Sequence, residues 1–235
     1  MGHKGADHIA PGNTSASFDA ALAHGVDMIE FDVLPERADG TGELFLAHDY
    51  GALRAGTAPT LEEGLAHLAG ATFADVELDV DLKLPGYELR VLEALRRHGL
   101  VDRALVSTME RSSLAVLRAA EPALRLGLSV PKLRRDPTVN PWTRVPAVLV
   151  GLAFRAALPR WAAREIRAGR IDALMAHWRL VTPALVRRIR AAGGELYVWT
   201  VDDGGVIARM EALGVDGVIT NDPRLFDVPR DVSAR

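Results

Sequence analysis

Short stretches of apolar or alternating residues recur along this chain, and stretches with helix signals separate them. Strands are predicted at residues 27–33, 75–84, 103–107, 124–130, 171–176, 195–201 and 216–220. Helices are predicted between them, for example after Thr60 and after Thr182, where a capping residue precedes a helical stretch. A further helix start is predicted at NDP (221–223). A short strand at the N-terminus makes eight. This repeated alternation predicts a parallel sheet, and the count favours an α/β fold of the closed (β/α)₈ barrel type over an open sheet.

Two stretches interrupt the alternation. Residues 34–49, with an Asp-Gly pair near their centre, predict a small hairpin insertion after the second strand. The apolar stretch at 145–165 is interrupted by charge and is too short to span a bilayer. Neither a repeat nor a low-complexity linker appears, and 235 residues suit one such barrel. We therefore predict a single domain over residues 1–235.

Composition excludes several classes of function. The chain has no cysteine, which rules out a disulfide framework, a thiol nucleophile and a cysteine-ligated zinc. The first residues lack the charged and apolar regions of a signal peptide, so we expect a cytoplasmic protein. A nucleic-acid partner is not expected, because no reading motif appears and only 6% of the residues are aromatic.

Charge is distributed unevenly along the chain. Residues 1–85 hold 15 acidic and four basic residues, whereas residues 131–190 hold 13 basic and three acidic residues. An acidic cluster suits cations, and a basic surface attracts phosphate or anionic lipid. Solvated surface charges that cancel in three dimensions are the alternative explanation.

The strand predicted at 75–84 alternates charged and apolar residues. Its charged members are Glu77, Asp79, Asp81 and Lys83. Residues two apart on a strand share a face, and in a barrel the apolar face packs under the helices. The charged face then points into the barrel, where charge is costly unless it is paired or bound to a metal. The alternative is the wet face of an antiparallel sheet. Within a barrel, the pattern predicts a functional site.

The strand predicted at 27–33 repeats this pattern. Glu30 and Asp32 share one face, and Ile29 and Phe31 lie on the other. Such a pair is common on protein surfaces. Together with Asp81 from the next strand of a barrel, however, it provides three carboxylates, which bind a hard cation through oxygen.

Histidines and lysines supply the remaining candidate chemistry. His3 would end the first strand and His48 would close the hairpin, so both would flank the acidic residues as a general acid and a general base. The other histidines, including His177, are interpreted as structural. Only three of the 28 basic residues are lysines, and two of them, Lys4 and Lys83, fall inside this predicted site. A compact ammonium suits a phosphate oxygen beside a metal.

Taken together, these residues resemble the glycerophosphodiester phosphodiesterase family. The resemblance is carried by HKG (3–5), PGNTSASFDAA (11–21), GVDMIEFDV (25–33), DG (39–40), HD (48–49), DVDLK (79–83), VWTVDD (198–203) and GVDGVITNDP (214–223). The motifs follow the family's order from residue 3 to residue 223.

The resemblance implies a TIM barrel and a divalent cation, calcium or magnesium. It also implies hydrolysis of a small-molecule glycerophosphodiester to glycerol 3-phosphate and an alcohol. The implied roles are Glu30, Asp32 and Asp81 as metal ligands, His3 and His48 as the acid–base pair, Lys4 and Lys83 as substrate contacts, and Trp199 as the pocket wall against the glycerol. It leaves open whether water or the substrate's neighbouring hydroxyl attacks phosphorus.

The chain departs from the family pattern at four positions. Lys4 replaces an arginine, Gly12 a glutamate, Asp81 a glutamate and Asp202 an asparagine. Loss of the arginine together with the glutamate is consistent with loss of a charge pair. Aspartate at position 81 shortens a ligand by one methylene and so bears on the choice of metal.

Two alternatives remain beside this function. A lipid-directed relative, of the lysophospholipase D or sphingomyelinase D kind, would use residues 142–165. There Trp142, Phe154 and Trp161 lie among arginines and would contact an anionic membrane peripherally. A helix that covers the barrel and turns its arginines to water explains the same stretch. The second alternative is a phosphate-binding homologue without turnover. The sequence does not determine the oligomeric state.

Overall fold

The computed structural model of the protein describes residues 1–132 and 141–226. Its strands are β1 (Met28–Pro35), β2 (Leu44–Leu46), β3 (Glu77–Leu82), β4 (Ala104–Thr108), β5 (Arg125–Val130), β6 (Ala173–His177), β7 (Glu195–Trp199) and β8 (Gly217–Val218). Its helices are α1 (Ser15–Ala23), α2 (Tyr50–Arg54), α3 (Leu61–Leu68), α4 (Glu88–Arg97), α5 (Arg111–Ala120), α6 (Pro141–Arg167), α7 (Pro183–Arg190) and α8 (Gly204–Leu213).

The strands form one eight-stranded sheet in the order β2-β1-β3-β4-β5-β6-β7-β8. All neighbours are parallel except β1 and β2, which form an antiparallel hairpin. Gly2 makes parallel bridges to both Ile29 and Thr220, which joins β1 to the segment after β8. The N-terminal segment therefore closes the curled sheet into a barrel.

The predicted α/β barrel is confirmed, with two local differences. The predicted first strand is reduced to the bridges of Gly2. The helix predicted to start at 221–223 is a single 3₁₀ turn, Pro223–Phe226. The hairpin predicted within 34–49 is present as β1 and β2. A single domain over residues 1–235 stays a prediction.

The barrel interior contains charge at its amino end as well as at its carboxyl end. Arg125, at the start of β5, donates hydrogen bonds to the carboxylates of Glu77 and Glu195, both at 2.8 Å, and to the Tyr197 hydroxyl at 2.9 Å. Glu77 opens β3, so this cluster lies at the amino ends of the strands. The charged residues of β3 and its extension are therefore divided between the two ends of the barrel, with Glu77 at the amino end.

Helix α6 divides into two parts along its length. Leu158, Ala162 and Ile166 are buried against the barrel. Residues 150–157 are exposed without interruption. The expectation of a barrel-covering helix is therefore met by residues 158–166 and not by residues 150–157. Within the part of the chain that the structure describes, no helix has the length and apolar character needed to cross a bilayer.

Glu165 is buried on α6 and held by two arginines. Arg170 donates to both of its carboxylate oxygens, from Nε at 2.7 Å and from Nη2 at 2.9 Å. Arg111 donates from Nη2 at 2.5 Å. These hydrogen bonds, led by that of Arg170, lower the pKa of Glu165 below its usual value despite desolvation.

We expect Glu165→Gln to lower the free energy of unfolding at neutral pH by roughly 1–3 kcal/mol, because it removes a charge-assisted hydrogen-bond acceptor. The pKa is lower in the folded than in the unfolded protein. The stabilisation is therefore complete above the unfolded value near 4.5 and is lost as the pH falls through the lowered value. Urea unfolding of both proteins at neutral pH and at about pH 3 measures this difference. An equal difference at the two pH values would contradict the assignment.

Candidate active site

The site lies at the carboxyl ends of the barrel strands. Its acidic residues share a face because they alternate with apolar residues along two strands. Glu30 and Asp32 alternate with apolar residues on β1, and Asp79 and Asp81 do the same on β3. The parallel register sets Glu30 beside Asp79 and Asp32 beside Asp81. Since alternate residues of a barrel strand point inward, four carboxyl groups meet at this end.

Three of these carboxylates form a compact group. Ligand oxygens of Glu30, Asp32 and Asp81 all lie within 4.8 Å of one another, and Glu30 and Asp32 are buried. The grouping predicted from the sequence is therefore present. Oxygen-only donors at this spacing fit a hard divalent cation better than a soft one.

Lys83 lies directly against this group. Its ammonium contacts Asp32 Oδ1 and lies 2.5 Å from Asp81 Oδ2. Burial opposes charge on both Lys83 and Asp32, yet their attraction prevails: the pKa of Asp32 falls to about 2, and the pKa of Lys83 rises well above its usual value. The Tyr87 hydroxyl accepts from the Lys83 backbone N–H at 3.0 Å and donates to the Val33 carbonyl at 2.6 Å, which fixes the end of β3 against β1.

Asp79 is a fourth acidic residue of the site. It is 1% exposed and its Oδ1 has no hydrogen-bond partner among the described residues. Burial, together with the nearby Asp81 charge, raises the pKa of Asp79 to about 8. Its position on the charged face was predicted, but alternation alone assigns it no role distinct from that of Asp81.

Asn13 holds Asp32 in place. Its Nδ2 donates to Asp32 Oδ2 at 2.8 Å, and its Oδ1 accepts from the Asp32 backbone N–H at 3.0 Å. Asn13 has a φ of +61°, which asparagine tolerates better than most residues. The sequence signal was its place in the stretch 11–21, although no role was predicted for it.

His3 is oriented by two residues from the opposite end of the chain. Its Nδ1 lies 2.5 Å from Asn221 Oδ1. Asn221 Nδ2 donates to Asp202 Oδ2 at 2.7 Å, so the amide oxygen faces His3. This arrangement places a proton on Nδ1 and leaves Nε2 free, 3.9 Å from Glu30 Oε2. Burial lowers the pKa of His3, which favours the neutral ring.

His48 lines the same cleft in a more open position. Its side chain is 53% exposed, and its Nδ1 is 3.2 Å from Asp49 Oδ2. Asp49 also caps α2 by accepting from the backbone N–H groups of Gly51 and Ala52. The two histidines predicted for the site thus line one cleft from different elements.

We expect Asn221→Leu to lower kcat by about tenfold to a hundredfold, because His3 loses the acceptor that sets its tautomer. Asn221→Asp keeps an acceptor and adds negative charge, which raises the pKa of His3. Its kcat/KM should therefore recover in part, with the acidic limb of the pH profile shifted to higher pH. A pH profile of Asn221→Asp identical to that of the wild type would contradict this positioning role.

The cleft has a volume of about 180 Å³ and includes both histidines, Asp81, Lys83 and Trp199. The indole N–H of Trp199 donates to the Met175 carbonyl at 2.9 Å, which holds the ring as a wall. His177, interpreted as structural, contacts this wall edge-on with ring centroids 5.3 Å apart. A larger cavity of about 650 Å³ lies at the amino ends of the strands and contains neither site histidine.

Lys4 has an acidic partner that its motif did not predict. Its Nζ lies 3.5 Å from Asp7 Oδ2, and Asp7 Oδ1 accepts from the Gly12 backbone N–H at 2.9 Å. A Cβ at Gly12 would lie 2.5 Å from Asp7 Oδ1. Positions 4 and 12 therefore form no charge pair, in line with the expectation, but Asp7 fills the space beside Gly12 and pairs with Lys4 instead. Lys4, predicted as a substrate contact, is not among the residues that line the cleft.

The fold and the site define a class of protein: a barrel enzyme whose mouth combines two histidines with a carboxylate cluster suited to a cation. The family model for the glycerophosphoryl diester phosphodiesterase family matches residues 3–58 and 51–225. The chain therefore belongs to the glycerophosphoryl diester phosphodiesterase family, and the predicted enzyme class, a phosphoric diester hydrolase, is confirmed.

Individual relatives agree with this assignment over almost their whole length. A glycerophosphodiester phosphodiesterase of Caldanaerobacter subterraneus subsp. tengcongensis is 26% identical over 257 aligned residues, covering 95% of this chain and 93% of the relative. A crystal structure from Silicibacter pomeroyi has a TM-score of 0.75 at 23% identity and covers 96% of this chain and 92% of its own. An Oleispira antarctica phosphodiesterase, solved with the product sn-glycerol-3-phosphate, has a TM-score of 0.69 at 20% identity and covers 96% and 95%.

Proposed function

We propose that this protein hydrolyses glycerophosphodiesters to glycerol 3-phosphate and an alcohol, using a divalent cation, Ca²⁺ or Mg²⁺. The observation that carries the proposal is the group of three carboxylates, Glu30, Asp32 and Asp81, at a cleft that two histidines line. Family membership supports the reaction class, and the product complex of the Oleispira relative supports the kind of product.

The cation would be held by Glu30, Asp32 and Asp81. Their donor atoms are all carboxylate oxygens. Without a cation, burial and the neighbouring Asp32 charge raise the pKa of Glu30 well above its usual value. A buried group of acids that repel one another is suited to a positive ion. When bound, such an ion neutralises charge on the phosphoryl oxygens.

His3 serves as the general base in this proposal. Its Nδ1 proton is engaged by Asn221, and its low pKa keeps Nε2 unprotonated at neutral pH. Nε2 takes the proton of the attacking oxygen, which belongs to water or to the substrate's neighbouring hydroxyl. The new phosphorus–oxygen bond forms as this proton leaves. In the second case the first product is a cyclic phosphate, and water must then open it to give glycerol 3-phosphate.

His48 serves as the general acid. Its side chain is 53% exposed at the cleft, so it can reach a leaving alcohol that departs to solvent. As the phosphorus–oxygen bond to the alcohol breaks, His48 gives its proton to the leaving oxygen. Exchange with solvent then restores both histidines.

Substrate contacts fall to the cationic and aromatic residues of the mouth. Lys83 provides an ammonium for a phosphate oxygen, and Trp199 provides a flat apolar wall for the glycerol carbons. Lys4 would contribute a second ammonium if its side chain turned from Asp7 to the phosphate. The separation of 3.5 Å between Lys4 Nζ and Asp7 Oδ2 marks a loose ion pair.

The reaction is tested by measuring glycerol 3-phosphate release from glycerophosphocholine and a panel of other glycerophosphodiesters. Each assay is run with Ca²⁺, with Mg²⁺ and with EDTA, for the wild type and for His3→Ala. We expect cation-dependent release that EDTA abolishes and that His3→Ala reduces strongly. The panel then identifies the preferred alcohol, and the paired assays identify the preferred cation.

Two other results would redirect the assignment. Turnover only of diesters carrying an acyl chain would indicate the lysophospholipase D or sphingomyelinase D kind of activity. Cation binding by a folded protein without turnover of any diester would indicate a phosphate-binding homologue.

A further inference from the structure

The first described side chains of α6 form an apolar surface that no other described residue covers. Residues 150–157 are exposed without interruption, and Arg155 is their only charged member. Val150 is 68% exposed, Leu152 55% and Phe154 37%. At 100° per residue, Leu152 lies on the opposite side of the helix from Val150 and Phe154. This segment, the α6 apolar turn, is therefore apolar on more than one face, unlike a helix that packs one stripe on a core.

The α6 apolar turn lies at the mouth of the barrel. Arg155 Nη2 donates to the Val181 carbonyl at 3.3 Å. Val181 follows β6 and the short turn Trp178–Leu180, so it lies at the carboxyl end of that strand, the end at which Trp199 lines the cleft. Helix α6 runs from this end down to the start of β6. Residues that precede Arg155 therefore extend outward, past the rim of the barrel.

Charge around the α6 apolar turn is positive. Between residues 137 and 164 the sequence has four arginines and neither an aspartate nor a glutamate. Of these arginines, Arg155, Arg160 and Arg164 are exposed. On the adjoining rim, Trp178 is flanked by the guanidinium groups of Arg179 and Arg209, at 4.7 and 5.5 Å from the ring centroid.

We infer that the α6 apolar turn docks on the surface of an anionic phospholipid bilayer. Apolar side chains that face several directions are satisfied by acyl chains, and the surrounding arginines attract acidic headgroups. Docking brings the mouth of the barrel against the bilayer surface. The partner is a lipid surface and not a second copy of this chain, because two copies would bring their positive charges together. Trp161 takes no part, since it packs on the barrel and carries Arg111 5.4 Å from its ring centroid.

The test is co-sedimentation with vesicles of phosphatidylcholine alone and of phosphatidylcholine with phosphatidylglycerol. We expect the wild type to pellet with the anionic vesicles at low salt and to be released at about 0.5 M NaCl, where charge attraction is screened. Leu152→Asp should weaken this binding by about tenfold or more, because it places a charge in the apolar layer. Arg160→Gln should weaken it by a smaller factor.

Val116→Asp is the matched control. Val116 is 41% exposed but lies in the middle of α5, between the two ends of the barrel, so its change should leave vesicle binding unaltered. Equal pelleting of the wild type and Leu152→Asp would overturn the proposal. Failure of the wild type to pellet with anionic vesicles would overturn it as well. A wild-type dimer in sedimentation velocity that becomes a monomer in Leu152→Asp would assign the surface to a second copy instead.

The vesicle assay does not depend on the reaction proposed above. Binding without turnover would support the membrane surface and count against the phosphodiesterase. Turnover of soluble diesters without vesicle binding would support the phosphodiesterase and count against the membrane surface. Circular dichroism of each variant confirms that it is folded, and the exposure of Leu152 makes loss of folding unexpected.

Discussion

Alanine at His3 or at His48 is expected to lower kcat/KM on a glycerophosphodiester by about 10²–10⁴, because each removes one proton-transfer group. The two variants should differ in pH dependence. As a base, His3 must be neutral, so wild-type kcat/KM rises with pH through a pKa that burial places below 6.5. This acidic limb should disappear in His3→Ala and persist in His48→Ala. Initial rates across the pH range, with saturating cation, measure the difference.

His67→Ala is the control for this pair. His67 lies on α3 and its Nε2 is 2.8 Å from Asp19 Oδ1, outside the cleft. Its replacement should leave both kcat/KM and the pH profile nearly unchanged. Wild-type activity in either His3→Ala or His48→Ala would exclude the proposed acid–base pair. Loss of the acidic limb in His48→Ala, and not in His3→Ala, would show that His48 is the general base and His3 the general acid.

Lys83→Met is expected to have the largest effect on stability. In the protein without a divalent cation, the Lys83 ammonium is the positive charge in contact with the carboxylates of Asp32 and Asp81. Its removal leaves buried negative charge uncompensated, which costs roughly 3–5 kcal/mol. For a chain of this length, that lowers the unfolding temperature by about 10 °C. Added Ca²⁺ or Mg²⁺ should then stabilise Lys83→Met more than the wild type, because the cation replaces the lost charge.

Lys132→Met provides the matched control. Lys132 is also a lysine in an ion pair, 2.6 Å from Glu110 Oε1, but its side chain is 46% exposed. Such a pair contributes about 0–1 kcal/mol, so the unfolding temperature should change little. Thermal unfolding in EDTA and at several cation concentrations compares the three proteins. Equal stability of Lys83→Met and the wild type in EDTA would show that Lys83 does not compensate this charge.

Much of the site could be predicted because strand geometry is local. Alternation places Glu30 and Asp32 on one face of β1, and Asp81 and Lys83 on one face of β3 and its extension. In a parallel barrel, whose apolar face packs under the helices, that charged face is the inward one. Adjacent parallel strands in a barrel then bring the two sets together, as the register of Asp32 with Asp81 shows. For the same reason the barrel itself followed from eight strand signals separated by helix signals.

Alternation did not determine at which end of the barrel a charged residue lies. Glu77 has the same parity as Asp81 on β3, yet it belongs to the Arg125 cluster at the amino end. The odd or even position of a residue along a strand decides the face on which its side chain lies. The length of the strand and the neighbouring side chains decide its level along the barrel axis.

The sequence by itself determined the fold class and the inward-facing charges of this protein, because both depend on periods of two or 3.6 residues that are properties of the local backbone. Only the tertiary structure decided that Asn221 and Asp202 orient His3, across 218 positions of sequence, and that Asp7 fills the space beside Gly12. It alone separated the buried and exposed parts of α6. These features depend on which loops and helix ends meet when the barrel closes, and closure is a property of the whole chain.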